Sequence, residues 1–152
     1  MGADLIENYD PSCERILIAE SVSTRSFLGS IALIRHRTDP KVAQIRLLLV
    51  DPSARGMGLG ARLVDECVRF ARGCNNKTNK EEGGLGEGGE QEGCCYEKIV
   101  LGTYTVLEGA RRLYRRAGFK AVSTGVEEEI WGLRLTCEVW ELSLLDEGME
   151  ER

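Results

Sequence analysis

The chain has 152 residues, a formal net charge of −5, six cysteines and one histidine. That length suits one domain with a single core better than two. The acidic balance, with no basic stripe and no alternation of aromatic and basic residues, argues against nucleic-acid binding. No stretch is apolar enough to span a bilayer, and the N-terminus lacks the basic-then-apolar pattern of a secretory signal.

Cys13, Cys67, Cys74, Cys94, Cys95 and Cys137 show no C-x-x-C spacing, and Cys67 and Cys137 fall on apolar faces of predicted elements. Free thiols in a reducing, cytoplasmic setting are therefore expected, with no disulfide framework and no metal site. Nearly all the negative excess is local, because Gly73 to Glu97 carries six glutamates against two lysines. The rest of the chain is close to neutral, so its charge alone names no cationic substrate.

Residues 1 to 14 have no regular pattern. Arg15 to Glu20 and Ser26 to His36 read as two strands joined by a turn at Val22 to Arg25. Val42 to Val50 is a third strand, with Pro40 marking the turn before it. A helix over 59–72 follows, in which Leu59, Leu63, Val64, Cys67, Phe70 and Ala71 recur at helical spacing. Gly73 to Gly93, rich in Gly, Glu, Asn and Lys, has no apolar periodicity and is expected to be a disordered loop. With its flank it forms an insertion over 73–96 inside one domain covering 1–152. Lys98 to Thr103 is then a strand, Leu107 to Ala117 a helix, Phe119 to Thr124 a strand and Leu133 to Leu144 a long final strand. The order predicts an α+β layer, a mixed and mainly antiparallel sheet with helices on its faces.

The most informative segment lies between the third strand and the first helix. Val50-Asp51-Pro52-Ser53-Ala54-Arg55-Gly56-Met57-Gly58-Leu59-Gly60 sets three glycines and an arginine where a strand turns into a helix. An anion there would meet first-turn N–H groups that have no helical partner, together with the positive end of the helix dipole. The run therefore reads as a pyrophosphate cradle. It is not a P-loop, because no Lys-Ser or Lys-Thr follows the last glycine. Gly56-Met57-Gly58-Leu59-Gly60-Ala61 satisfies the loose dinucleotide fingerprint, but the position of its ribose carboxylate falls in the low-complexity insertion. The strand also ends too far before the first glycine for that unit's tight turn.

Arg55-Gly56-Met57-Gly58-Leu59-Gly60 behind Val50-Asp51-Pro52 resembles the acetyl-CoA signature of the GNAT acetyltransferases. Ala110-Arg111-Arg112-Leu113-Tyr114-Arg115-Arg116-Ala117-Gly118-Phe119 is similar to the same family's helix ending in Tyr-x-x-x-Gly-Phe. Within the family, the chain most resembles the acetyltransferase half of proteins that fuse a MarR-type winged helix to a GNAT domain. That likeness rests on Cys13 to Glu20, Gln44 to Val50, Leu63 to Cys67 and Trp140 to Leu144. The winged helix has no counterpart in this sequence, so DNA binding is not expected.

The resemblance implies acetyl-CoA as cosubstrate, an amine as acceptor and no metal. It implies that Arg55, Gly56, Met57, Gly58, Leu59 and Gly60 hold the pyrophosphate, and that Leu48, Leu49 and Val50 pair with the pantetheine arm like an added strand. It also makes Tyr114 the proton donor to the leaving thiolate. Tyr114 shares a helical face with Leu107, Ala110 and Ala117, so it points inward whether or not it catalyses anything.

Several family features are altered. No carboxylate stands on the strand leading into Val50, where Gln44, Ile45 and Arg46 occur; Gln44 can orient a water that relays the amine's proton. Strict alternation would put Gln44, Arg46, Leu48 and Val50 on one face. Arg46 is expected in an ion pair, His36 as a solvated strand-end residue, and Glu127, Glu128 and Glu129 in a solvated loop. Leu107 replaces an asparagine that contacts the cofactor arm in many members. The family's two N-terminal helices are missing from the sequence, since about 14 residues precede the first hairpin. A partner chain such as a second copy could supply that wall, the pocket could be open, or the chain could be a shortened form. The competing reading is a catalytically weak CoA-binding module with a regulatory or assembly role.

Overall fold

A computed structural model describes residues 9–77 and 95–145. Among these residues six strands form one sheet: β1 (Arg15–Glu20), β2 (Phe27–Arg35), β3 (Val42–Val50), β4 (Lys98–Tyr104), β5 (Lys120–Ile130) and β6 (Leu133–Ser143). Their order in space is β1-β2-β3-β4-β6-β5. Helix α1 (Leu59–Lys77) connects β3 to β4, and α2 (Glu108–Ala117) connects β4 to β5. Only the β3–β4 pair is parallel, while every other neighbour is antiparallel. The expected α+β architecture with a mixed, mainly antiparallel sheet is what forms.

Both crossovers put their helix on the same face, as right-handed connections between strands running the same way require. That face carries the core. Ile31 and Leu33 of β2, Ala43 and Ile45 of β3, Ile99 and Leu101 of β4 and Trp140 of β6 pack against Leu63, Val64, Cys67 and Ala71 of α1 and Tyr114 of α2. Burial of a Leu or Val of this kind contributes roughly 1.5–3 kcal/mol. Among the described residues no helix covers the opposite face, where Ile18, Leu49 and Leu133 are exposed.

Strict alternation fails in β3. Ser30 pairs with Leu49 and Ala32 with Arg46, so Leu47 and Leu48 together oppose the single residue Ile31. This is a β-bulge, and Leu47 lies within it at a positive φ of 57°. Its carbonyl accepts a hydrogen bond from Ser30 Oγ at 2.9 Å. Because of the extra residue, the core face changes from Ala43 and Ile45 to Leu48 and Val50. Gln44 and Arg46 thus lie on the face opposite Leu48 and Val50, against the sequence expectation.

Three further expectations are corrected. Glu127, Glu128 and Glu129 belong to β5, paired with Thr136, Leu135 and Arg134, so the strand runs well past Thr124 before a turn at Trp131 and Gly132. Helix α1 continues through Gly73 to Lys77, past the expected start of the insertion, whose residues 78–94 lie outside the described residues. At the insertion's other end, Tyr96 is fully buried and donates to the Cys13 carbonyl at 2.6 Å. Cys13, Cys67, Cys95 and Cys137 are free thiols. Burial pushes the Cys67 thiol up to about 12, whereas Cys137 turns to the helix-free face and is only half-buried.

One charged pair interrupts the core. Glu138 of β6 is 2% exposed. Its Oε1 accepts from Trp140 Nε1 at 3.1 Å and lies 2.8 Å from Arg111 Nε, an ion pair rather than an aligned hydrogen bond. Arg111 also reaches the Thr105 carbonyl at 3.4 Å, which fastens the start of α2 to the ends of β4 and β6. Substituting Arg111→Ala strands a buried carboxylate and is expected to cost about 2–3 kcal/mol, near the lower end for broken buried pairs because Arg111 remains partly solvated. Urea denaturation measures this, and an unchanged midpoint would show that the pair holds nothing together.

Candidate active site

The segment after β3 folds as its glycines require. Asp51 caps a 3₁₀ turn at Pro52–Ala54, its Oδ2 accepting from Ser53 N at 3.0 Å and from the Ser53 hydroxyl. These bonds hold the Asp51 carboxyl below its ordinary range. Arg55 is extended, and Gly56 and Gly58 follow at φ 81° and 77°. A Cβ at either glycine would meet nothing within 4 Å, so the backbone there faces open space. Helix α1 begins at Leu59 with no acidic residue in its first turn, which leaves the positive end of its dipole uncompensated. Leu28, Ala54, Met57, Gly58, Leu59 and Arg62 line a cavity of about 290 Å³ beside it. Open glycine backbone, an uncompensated helix start and two arginines fit a diphosphate.

Beside this cradle the sheet divides. The β3–β4 ladder joins Val42, Ala43, Gln44 and Ile45 to Lys98, Ile99, Val100 and Leu101 and stops there. Strand β3 runs on to Val50 along β2, and β4 runs on to Tyr104 along β6. Asp51 N–H bonds the Leu28 carbonyl on the β2 side at 2.7 Å. Backbone groups alternate along a strand, so Leu48 and Val50 turn theirs the other way, into the gap left by β4.

Tyr114 is 5% exposed, its ring tilted against Phe119 and Trp140 at centroid distances of 6.0 and 6.4 Å. Among the described residues its hydroxyl makes no hydrogen bond, yet it is not one of the fully enclosed polar atoms, so it reaches accessible space. Burial pushes its phenol above the ordinary tyrosine value, and it stays protonated at neutral pH. Gly60 explains how α2 comes so near the cradle. A Cβ there would lie 2.9 Å from Leu113 Cδ1 and 3.6 Å from Val50 Cγ2, so Gly60 permits the close approach of the two helices rather than facing the open side.

Of the residues expected to hold the cofactor, Met57, Gly58 and Leu59 line this cavity, Arg55 and Gly56 lie in the turn that leads into it, and Leu48 and Val50 lie at the end of β3 just before it. Leu49 points to the helix-free face. Gln44 lies within the closed part of the ladder, with Ile34 and Val100 as neighbours. His36 stands at the far end of the sheet, its Nδ1 held by Thr38 N at 3.3 Å, away from the cradle. Leu107 caps α2 without a side-chain bond. Sequence reasoning missed Arg62, whose only signal is its place in the turn after Gly58. It also missed Tyr104, whose hydroxyl donates to Glu128 Oε2 at 3.3 Å.

No helix of the described residues is long and apolar enough to cross a membrane, and no cluster among them could hold a metal ion. No curated protein matches the chain. Several solved structures share the fold. YncA from Salmonella typhimurium, whose structure holds its cofactor acetyl-CoA, is 18% identical at a TM-score of 0.64 over 88% of this chain and 66% of that protein. An N-acetyltransferase from Staphylococcus aureus Mu50 is 20% identical at 0.65, over 94% and 73%. Mutant forms of the spermidine/spermine N-acetyltransferase SpeG from Vibrio cholerae are 17% identical at 0.65, over 93% and 72%. The acetyltransferase (GNAT) domain family matches residues 12–121. With the cradle, the divided sheet and the tyrosine helix all inside that match, the chain belongs to the GNAT family of acetyl-CoA-dependent N-acetyltransferases.

Proposed function

We propose that this protein transfers an acetyl group from acetyl-CoA to a primary amine. The observation that carries the reading is the gap between β3 and β4, open beside a glycine cradle where the ladder stops at Ile45 and Leu101, into which strand alternation turns the N–H groups of Leu48 and Val50. Arg55 to Leu59, with Arg62, would hold the pyrophosphate. Leu48 and Val50 would bind the amide-bearing arm as a strand binds its neighbour. A neutral amine attacks the thioester carbonyl, the C–N bond forms to give a tetrahedral oxyanion, and its collapse breaks the C–S bond and expels the thiolate. One strand N–H would stabilise the oxyanion, Tyr114 Oη would give a proton to the sulfur, and the nitrogen's proton would pass to solvent, from which the phenol regains its own. Gln44, outside the gap, is better suited to ordering water near the acceptor than to touching the reacting atoms.

The N-acetyltransferases of similar fold support an amine acceptor. The likeness of Cys13 to Glu20, Gln44 to Val50, Leu63 to Cys67 and Trp140 to Leu144 to the acetyltransferase half of MarR–GNAT fusions supports kinship with that branch. A cytoplasmic location accords with a free-thiol protein that consumes acetyl-CoA.

Gly58→Asp adds a charge and a strained side chain where the protein itself has empty space, so folding should survive while acetyl-CoA affinity falls at least about 10²-fold. Calorimetric titration reads this directly, and retained affinity would remove the pyrophosphate assignment. Tyr114→Phe keeps the ring packing and should lower kcat by roughly 10²-fold with acetyl-CoA affinity unchanged. A wild-type rate in that variant would reduce Tyr114 to packing. Acetyl-CoA binding without thiol release across a broad amine panel would leave only a binding module.

A further inference from the structure

At the mouth of the β3–β4 gap, the helix-free face carries a polar cluster that the reading above does not use. Tyr104 ends β4 and alternates to that face, two residues beyond Gly102. A Cβ at Gly102 would meet nothing within 4 Å, so the surface between Val100 and Tyr104 is open. The Tyr104 hydroxyl spans β6 to reach Glu128 on β5 and donates to Oε2 at 3.3 Å. Cys137 lies between them, directly opposite Tyr104 in the ladder. Burial and the nearby Glu128 and Glu138 hold its thiol above its ordinary value, hence protonated and unreactive at neutral pH.

The charge balance of this face is uneven. Lys98 and Glu141 neutralise each other at 3.2 Å, and Arg46, across the gap, has a partner of its own. Among the described residues Glu128 pairs with no cation, and its Oε1 has no hydrogen-bond donor. A carboxylate with no paired cation is thus oriented by Tyr104, which ends the strand that borders the gap, on the face from which an acceptor could approach.

We propose that Glu128, oriented by Tyr104, anchors a positive charge of the acceptor, so that the favoured acceptors are amines bearing a second cationic group. The assignment rests on the acetyltransferase reading. The attacking nitrogen must be neutral to offer its lone pair, so the group held by the carboxylate is a different one, which stays protonated throughout. The attacking nitrogen loses one proton to solvent as the sulfur gains one, and Glu128 exchanges none.

The test compares cadaverine with n-pentylamine, which share a five-carbon chain and differ in the second ammonium, using the whole protein with saturating acetyl-CoA. Wild type should favour cadaverine in kcat/KM by roughly 5- to 10-fold, the scale of a charge-assisted contact discounted for solvent exposure. Glu128→Gln should erase that preference through KM, leaving kcat, n-pentylamine turnover and acetyl-CoA affinity as they were. Tyr104→Phe should weaken it less, and Glu128→Asp should restore part of it. Equal use of the two amines by wild type, or a preference that survives Glu128→Gln, overturns the anchor but leaves the acetyltransferase reading standing. Turnover of neither amine with acetyl-CoA still bound also overturns it. Loss of acetyl-CoA binding in wild type would remove both.

Discussion

Two halves of the sheet are joined by only four residue pairs. The parallel ladder from Val42 and Lys98 to Ile45 and Leu101 holds them together, and everything that gives this chain a site follows from where that ladder stops. A parallel pair that continued to Val50 would close the backbone groups of Leu48 and Val50 against β4. The bulge at Leu47 prevents it. The extra residue raises local twist and turns the end of β3 away, at the expense of one non-glycine residue in left-handed backbone. Each partly paired strand keeps its outer neighbour, so the gap opens without loosening the sheet.

The gap alone would bind nothing in particular. It becomes a site because α1 starts immediately beyond β3 and α2 packs close against that start, which Gly60 allows by leaving room for Leu113. The approach brings α2 beside the cradle, with Tyr114 on its buried face wedged by Phe119 and Trp140. Glu138 and Arg111 then secure the beginning of α2 with a charged contact inside the core. A buried ion pair is poor material for stability, yet here it links β6, α2 and the end of β4 through directional contacts that apolar residues cannot supply.

Much of this was legible in the sequence, and the exceptions have physical causes. The cradle could be read because glycines at positive φ and a helix start without acidic residues leave a local signature. The tyrosine helix was legible for the same reason, its motif lying within one turn-bounded segment. The bulge was hidden because Leu47, Leu48, Leu49 and Val50 are all apolar, so nothing in their pattern marks the change of face. β5 was underestimated because it is an edge strand with mostly exposed side chains, and its residues past Thr124 are held by backbone pairing with β6, which composition does not record. Tyr96 was lost in a glycine-rich neighbourhood although it is one of the largest buried side chains. Glu128 meets Tyr104 across an intervening strand, and no local reading predicts such a pair.

Amide hydrogen exchange with and without acetyl-CoA tests the central claim most directly, because that claim concerns particular backbone N–H groups. The amides of Leu48 and Val50, together with those of the cradle, should exchange readily in the free protein and become strongly protected when acetyl-CoA binds. The neighbouring amide of Asp51, already bonded to β2, should change little. Binding that leaves Leu48 and Val50 unprotected would contradict the account, since the gap between β3 and β4 would then not be where the cofactor arm lies.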